Sequence, residues 1–438
     1  MNKCDEGVND VENGSTVGKK IKILEDCPRK PAGYVSVDGI SGLPDDVLAI
    51  ILSHLSFKQA TQTSVLSTRW RYSWTLFTGT LDFDASDRLA VVNLLRLRPP
   101  LDLERKRFVN WVNQVLEVLQ ARSIDGLRIC FDVDSKPDID RWMSFAVKRR
   151  VRKLELNLSR FHHSPQRRKS YNPTLHLLNY LGSSCVTALH LCHVNVTAES
   201  LEHILSENPF LESLSVKFSP SLISLKISSP SMKLKHLELL WCYGLTDLQL
   251  SSTNLLSLKY VGPVIPNPFV NVPCLTDLSM GSMYLFYKLN NLFEFSSLPM
   301  QLQKLKLEIP YCYVFERLPQ NFPEFKNLKQ LELMIRLASD GHSLLPFASL
   351  LRAAPSLYEF KMKFPVAKAS SNGMKVIKEE QPFRCLKTVE ILGFVGGAAD
   401  MELVLYLLEN AVELEKLLID PCDFFFFWNL VRITVSRV

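Results

Sequence analysis

One six-residue pattern, apolar-x-x-apolar-x-apolar, dominates the chain from Ile124 onward. It begins at Ile124, where it takes in Leu127 and Ile129, and again at Val151, Val186, Leu211, Leu222, Leu234, Leu245, Leu255, Leu275, Leu302, Leu328, Leu357, Leu386 and Leu414. Apolar residues that alternate with polar ones make a strand with one face in a core and one in solvent. Clear copies read VRKLELNL, LKHLELL, LQKLKLEI and LKQLELMI. A single unit of this kind cannot bury its apolar face, whereas a stack of them builds one continuous core. At 438 residues the chain is too long for one compact core, and a repeat array removes that limit because each unit packs only on its neighbours.

Successive starts lie 27, 35, 25, 11, 12, 11, 10, 20, 27, 26, 29, 29 and 28 residues apart. Spacings of 25–29 match the leucine-rich repeat, a strand followed by a helical or irregular return on the convex side. A gap of 10–12 residues cannot hold a strand, a helix and two turns. Between Leu211 and Tyr260 the strands are therefore expected to alternate between the two faces of the solenoid. The curved strand face forms a broad binding surface, on which Lys153, His190, Glu238, Lys306 and Glu332 are the expected exposed positions.

Ahead of the repeats lies DGISGLPDDVLAIILSHLSFKQATQTSVLSTRWRYSW, residues 38–74. Pro44 suits a first helical turn, where its missing N–H costs nothing, and Asp45 and Asp46 favour the positive helix end. Val47, Leu48, Ile51, Leu52 and Leu55 recur at helical spacing. Ser56 and Gln59 read as a capping box opening a second helix through Ala60, Val65 and Leu66. Ser67 can cap a third helix, with Trp70 and Trp74 one turn apart. Three short helices without a disulfide or metal staple are marginal alone and gain stability by burying leftover apolar surface on a partner. Periodicity by itself does not exclude a helical cap for the solenoid.

The residues here resemble the F-box family. Its pattern of Leu-Pro, an aliphatic helix and a Val-Leu-Ser…Arg-Trp-Arg stretch is matched by Leu43-Pro44, Val47-Leu48, Ile51-Leu52, Leu55, Val65-Leu66-Ser67 and Arg69-Trp70-Arg71. Ser56 departs from a frequent Pro. The resemblance implies that Leu43, Pro44, Val47, Leu48, Ile51, Leu52, Leu55, Val65, Leu66, Ser67, Trp70 and Arg71 bind a Skp-type adaptor, and through it a cullin-RING ubiquitin ligase. Residues 383–421, which include CLKTVEILGFVGGAADMELVLYLLENAVELEKLLIDP, resemble the FBD region of plant F-box/leucine-rich-repeat proteins. The ending CDFFFFWNLVRITVSRV departs from that family and is expected to pack poorly.

The expected architecture is thus α/β. Residues 1–37 form a disordered tail, 38–85 the three-helix F-box, 86–150 a helical connector and first repeat, 151–382 the curved solenoid, 383–421 the FBD-like terminal repeat and 422–438 the divergent tail. Phe108, Val112, Val115, Leu116 and Leu119 mark an amphipathic helix in the connector, and Ile139, Trp142, Met143 and Ala146 mark another. Neither segment has the composition of a floppy linker, so the F-box is expected to be held rigidly on the array.

A net charge of +6 with no basic stripe interleaved with aromatics argues against nucleic-acid binding. Ten cysteines without framework spacing suit reduced thiols in nucleus or cytoplasm, and no apolar run is long enough for a signal or a membrane span. Lys19, Lys20 and Lys22 read as a solvated basic tail or a nuclear-import patch. No phosphate loop, nucleophile elbow or HExxH motif is present, and no cofactor is expected. Cys185, His190, Cys192 and His193 are the nearest approach to a metal set, but strand alternation turns His193 away from the other two strand residues. SRFHHSPQRRKSYNPT, VGPVIPNPFVNVP and KASSNGMKVIKEEQP are expected loops. The reading is of a non-catalytic, target-recognising subunit; a ligase-independent scaffold and a small-molecule co-receptor are the competing ones.

Overall fold

The computed structural model describes residues 40–86, 101–159, 171–173, 181–228, 233–281, 298–309, 322–335, 344–364, 382–420 and 433–436, apart from a few single positions within those spans. The chain divides into two units, Met1–Leu43 and Pro44–Val438. In the first, the described residues make one turn, in which the Leu43 N–H donates to the Ile40 carbonyl at 3.3 Å. The tail 1–37, with its lysine patch, lies outside the described residues.

The second unit opens with three short helices, α1 (Asp45–Ser53), α2 (Phe57–Gln62) and α3 (Trp70–Ser73). Pro44 caps α1, and two aspartates occupy its first turn. The capping box forms as expected: the Ser56 hydroxyl accepts from the Gln59 N–H, and the Gln59 side chain accepts from the Ser56 N–H at 2.9 Å. The Ser67 hydroxyl accepts from the Trp70 N–H at 3.3 Å. Leu48, Leu52, Phe57, Ala60 and Trp70 fill the centre of the module.

A long sheet follows. Its strands are β1 (Thr80–Asp84), β2 (Gly126–Cys130), β3 (Lys153–Asn157), β4 (Ala188–Cys192), β5 (Ser213–Lys217), β7 (His236–Leu240), β9 (Ser257–Val261), β11 (Asp277–Gly281), β12 (Lys304–Ile309), β13 (Gln330–Ile335), β14 (Glu359–Lys363), β15 (Thr388–Leu392), β16 (Lys416–Asp420) and β17 (Ile433–Ser436). Every neighbouring pair is parallel except the last, in which β17 runs antiparallel along β16. Parallel neighbours need crossovers, and the repeat supplies one per strand. The sheet begins one strand earlier than the pattern indicated, inside the range assigned to the F-box. Thr78 stands there at the first apolar position of the motif, so TLDFD was not recognised.

In-register leucines build the core. Leu81, Leu127, Leu154, Leu189, Leu214, Leu237, Leu258, Leu278, Leu305 and Leu331 occupy one continuous row, each at most 2 % exposed. The outer side of the stack changes with repeat length. Helices α4 (Leu101–Val118), α5 (Lys136–Lys148), α6 (Ala198–Glu207), α7 (Ala348–Arg352) and α8 (Ala398–Asn410) lie between strands that start 25 or more residues apart. Between β5 and β11 the strands start at 213, 236, 257 and 277, which leaves no room for a helix. There β6 (Ser224–Ile227), β8 (Asp247–Ser251) and β10 (Phe269–Asn271) form a second parallel sheet. Leu225, Ile227, Leu248 and Leu250 bury its inner face. The two-faced alternation inferred from the gaps of 10–12 residues is thus what the chain adopts. Part of VGPVIPNPFVNVP is correspondingly a strand, β10, and not only loop. The tail likewise is not wholly unpaired, since β17 covers the open edge of β16.

Aromatic rings join the helical module to the first repeats. Phe57 meets Trp74, Phe77 and Phe83 at ring distances of 6.2, 5.6 and 5.7 Å. Phe83 continues to Trp111 at 5.0 Å, and Phe108 stacks on Phe131 at 4.5 Å. Backbone bonds from Gln120 and Ala121 to the Thr75 carbonyl reinforce the joint. Both connector helices bury the faces read from sequence: Phe108, Val112, Val115 and Leu116 on α4, and Ile139, Trp142, Met143 and Ala146 on α5.

Candidate functional site

Two surfaces stand out. The first is the outer face of the helical module, where Val65, Leu66 and Ile50 are 85, 63 and 60 % exposed, and Val47, Ile51 and Tyr72 are exposed beside them in the sequence. Large apolar side chains left exposed in such number on a small module mark an interaction site. The structure divides the twelve residues of the sequence-based set. Pro44, Val47, Ile51, Val65, Leu66 and Arg71 are exposed; Leu43, Leu55 and Ser67 are half-buried. Leu48, Leu52 and Trp70 are buried inside the module, so they hold its shape and do not present surface to a partner. Ile50 and Tyr72 were missed, because the motif reading follows consensus positions and not the direction each side chain takes. Arg69 fixes the geometry by an ion pair to Asp45 at 2.8 Å, linking the α3 entry to α1.

The second surface is the strand face of the long sheet. Its central row reads Asp82, Arg128, Glu155, His190, Ser215, Glu238, Lys259, Ser279, Lys306, Glu332, Lys361 and Glu390, each opposite the next in register. Four of the five residues expected on this face fall in that row, and Lys153 lies two positions before it, on the same face of β3. Charges of both signs occupy it and pair across strands. Arg128 lies 2.8 Å from both Asp82 and Asp84 and 3.3 Å from Glu155. Burial opposes the charge on Arg128, but these carboxylates outweigh it and raise its pKa. Glu238 sits between Lys217 at 2.8 Å and Lys259 at 3.1 Å and accepts from the Ser215 hydroxyl at 2.6 Å. Burial works against the ionised Glu238, yet Lys217 and Ser215 dominate and bring the carboxyl pKa down to about 2. Glu332 is held by Lys306 and Lys363, and Lys361 by Glu359 and Glu390.

Such a ladder offers a partner many fixed charges of both signs, which select by complementarity more than by raw affinity. Near its middle the small side chains of Ser257 and Ser279 leave a cleft of about 350 Å³, bordered by Asp277, Lys304 and Lys306. The Ser279 hydroxyl is buried there with no hydrogen-bond partner among the described residues. At the C-terminal strand ends His193, Phe218 and Trp241 stack, with ring distances of 4.5 and 6.4 Å. All three have positive φ, near +55°, a conformation costing a bulky residue about 1–2 kcal/mol. Half-exposed, they form an aromatic ridge beside the charged row.

His193 therefore belongs to that stack, whereas His190 and Cys192 share the strand face. Among the described residues no group of three or more His, Cys, Asp or Glu could hold a metal ion. No helix among them is long and apolar enough to cross a membrane. The basic stretch around His162 and His163 and the polar stretch 368–381 lie outside the described residues.

A capped three-helix module ahead of parallel strand-and-return repeats defines a leucine-rich-repeat protein with an F-box. Residues 119–426 match the family model of the At1g61320/AtMIF1 leucine-rich-repeat domain, and residues 40–78 match the F-box domain. The chain belongs to this F-box/leucine-rich-repeat family. It is 30 % identical over 268 residues to the F-box/LRR-repeat protein At3g03360 of Arabidopsis thaliana, covering 56 % of this chain and 51 % of that protein. It is 26 % identical over 421 residues to the Arabidopsis F-box/FBD/LRR-repeat protein At1g13570, covering 87 % and 90 %. A solved chain, from the crystal structure of a TLR13–ssRNA13 complex, aligns with a TM-score of 0.36 and 16 % identity over 78 % of this chain and 42 % of that one.

Proposed function

We propose that this protein is the target-recognition subunit of an SCF-type cullin-RING ubiquitin ligase. The exposed Val47, Ile50, Ile51, Val65, Leu66 and Tyr72 would dock a Skp-type adaptor, and the strand face would hold the target. The observation that supports this most is that a module with so small a core leaves these large apolar side chains uncovered. The protein's contribution is proximity: held on one rigid frame, target and ubiquitin donor meet at a high effective concentration. The transfer chemistry then belongs to other subunits, and the assembly works in nucleus or cytoplasm, where thiols stay reduced.

The aromatic joint from Phe57 to Phe131 favours this reading over a free scaffold, because it fixes the distance between adaptor face and target face. A pull-down of purified adaptor and cullin by the full chain tests it. Val65→Ser with Leu66→Ser changes only exposed side chains and should abolish retention while the melting temperature stays put. A folded wild-type chain that retains neither component would shift the assignment to a ligase-independent scaffold.

A further inference from the structure

The rim at the N-terminal ends of β12–β16 carries a feature that the adaptor face and the charged row do not use. A cleft of about 540 Å³ is lined there by Lys304, Lys329, Arg384 and Lys387, with Glu413 its one acidic residue among those described. Lys387 is already neutralised, 2.6 Å from Glu415. Lys304, Lys329 and Arg384 have no ion-pair partner among the described residues. Other cations on this same rim do: Lys153 lies 3.2 Å from Asp125, and Lys235 3.1 Å from Glu212. A concave site with three uncompensated cations focuses positive potential and draws an anion.

The shape of the cleft narrows the choice. Lys329, Tyr358 and Lys387 each precede a strand by one residue and stand on successive rungs of the sheet. Rungs are about 4.8 Å apart, so the cleft from β12 to β16 is matched by an extended segment of about six residues. Tyr358 contributes a ring that is 47 % exposed, giving an apolar floor between the cations. Lys304 also borders the concave cleft around Ser279, so the groove runs into the strand face. We propose that this groove binds an acidic peptide segment of the target, phosphorylated or rich in carboxylates, with Arg384 and Lys329 as its principal contacts. A guanidinium and ammonium groups presented together suit either anion, by charge-assisted hydrogen bonds. Single-stranded nucleic acid fits less well, since it needs several stacking aromatics along a basic track and Tyr358 is the one ring among the described lining residues.

The biological use of the groove rests on the target-capture reading, but its chemistry is measured without any ligase component. Fluorescent peptide pools with a central phosphoserine, a central Glu run, or plain Ser in otherwise randomised sequence are titrated against the full chain, with oligouridine as a fourth probe. The phosphoserine or the Glu pool should bind at least about tenfold more tightly than the Ser pool. Lys329→Glu with Arg384→Glu, both exposed positions, should erase that preference without lowering the melting temperature. Which anionic pool leads identifies phosphate or carboxylate as the recognised group. Equal binding of all pools, a preference that survives the charge reversal, or tighter binding of oligouridine than of any peptide would each overturn the proposal. Adaptor binding should be unchanged in the double variant, so failure of the groove and failure of the ligase assignment are read separately.

Discussion

Phe83→Ala tests how the two functional surfaces are held together. Phe83 lies on β1, fully buried, between Phe57 of α2 and Trp111 of α4. Truncation removes the ring and leaves a cavity among aromatic neighbours, for a cost of about 3–5 kcal/mol. In a repeat protein such a loss stays largely local, because each unit contacts only its neighbours. With about 1.4 kcal/mol per factor of ten, opening of α1–α3 should become about two to four orders of magnitude more frequent. Hydrogen exchange of the full chain reads this segment by segment. Amides within Asp45–Ser73 should lose protection by that amount, while β12–β14 should keep theirs. Leu237→Ala, at a buried position of β7, supplies the comparison: it should weaken the mid-array strands and leave the module protected. Unchanged exchange of Asp45–Ser73 in Phe83→Ala would mean that the module folds independently of the joint, and the rigid-frame argument would fail.

Three further outcomes follow from particular contacts. Glu238 has a folded-state pKa near 2, below its ordinary 4.5, so its stabilisation is fully present above pH 4.5 and is lost as pH falls through about 2. Thermal melts of wild type against Glu238→Gln should differ by about 1–2 kcal/mol above pH 5, after solvent screening, and converge toward pH 2; a constant difference across that range would contradict the pairing. Arg105 and Asp132 form a buried pair at 2.7 Å, so Arg105→Met should cost about 3–5 kcal/mol by stranding the carboxylate, read as a lower urea midpoint. Gly393 has φ +89°, and an added Cβ would stand 1.8 Å from the Phe364 carbonyl oxygen; Gly393→Ala should therefore lose protection in β14 and β15, and a neutral effect would show that this turn is not constrained.

Much of this was legible in the residues. The spacing of the leucine motif reports repeat length, and repeat length decides whether a helix fits on the outer side, so the second sheet of β6, β8 and β10 could be read from the gaps of 10–12 residues. The capping box and both connector helices announce themselves by local chemistry. What escaped did so for equally physical reasons. β1 has Thr78 where the motif wants an apolar residue, and β10 is three residues long between prolines. On α1 apolar residues cover more than one face, so periodicity alone could not separate buried Leu48 and Leu52 from exposed Val47, Ile50 and Ile51. The basic groove was invisible because its cations come from three separate repeats, far apart in sequence and joined only by the register of β12–β16.

On the proposed assignment, the exposed apolar side chains of the helical module receive a Skp-type adaptor. Isothermal titration of the full chain with purified adaptor at several temperatures measures this most directly, since apolar burial carries a negative heat-capacity change. We expect saturable binding with that signature, weakened at least about tenfold by Val65→Ser with Leu66→Ser and untouched by Lys329→Glu with Arg384→Glu. No binding by a chain shown to be folded, or binding that survives loss of Val65 and Leu66, would contradict the assignment.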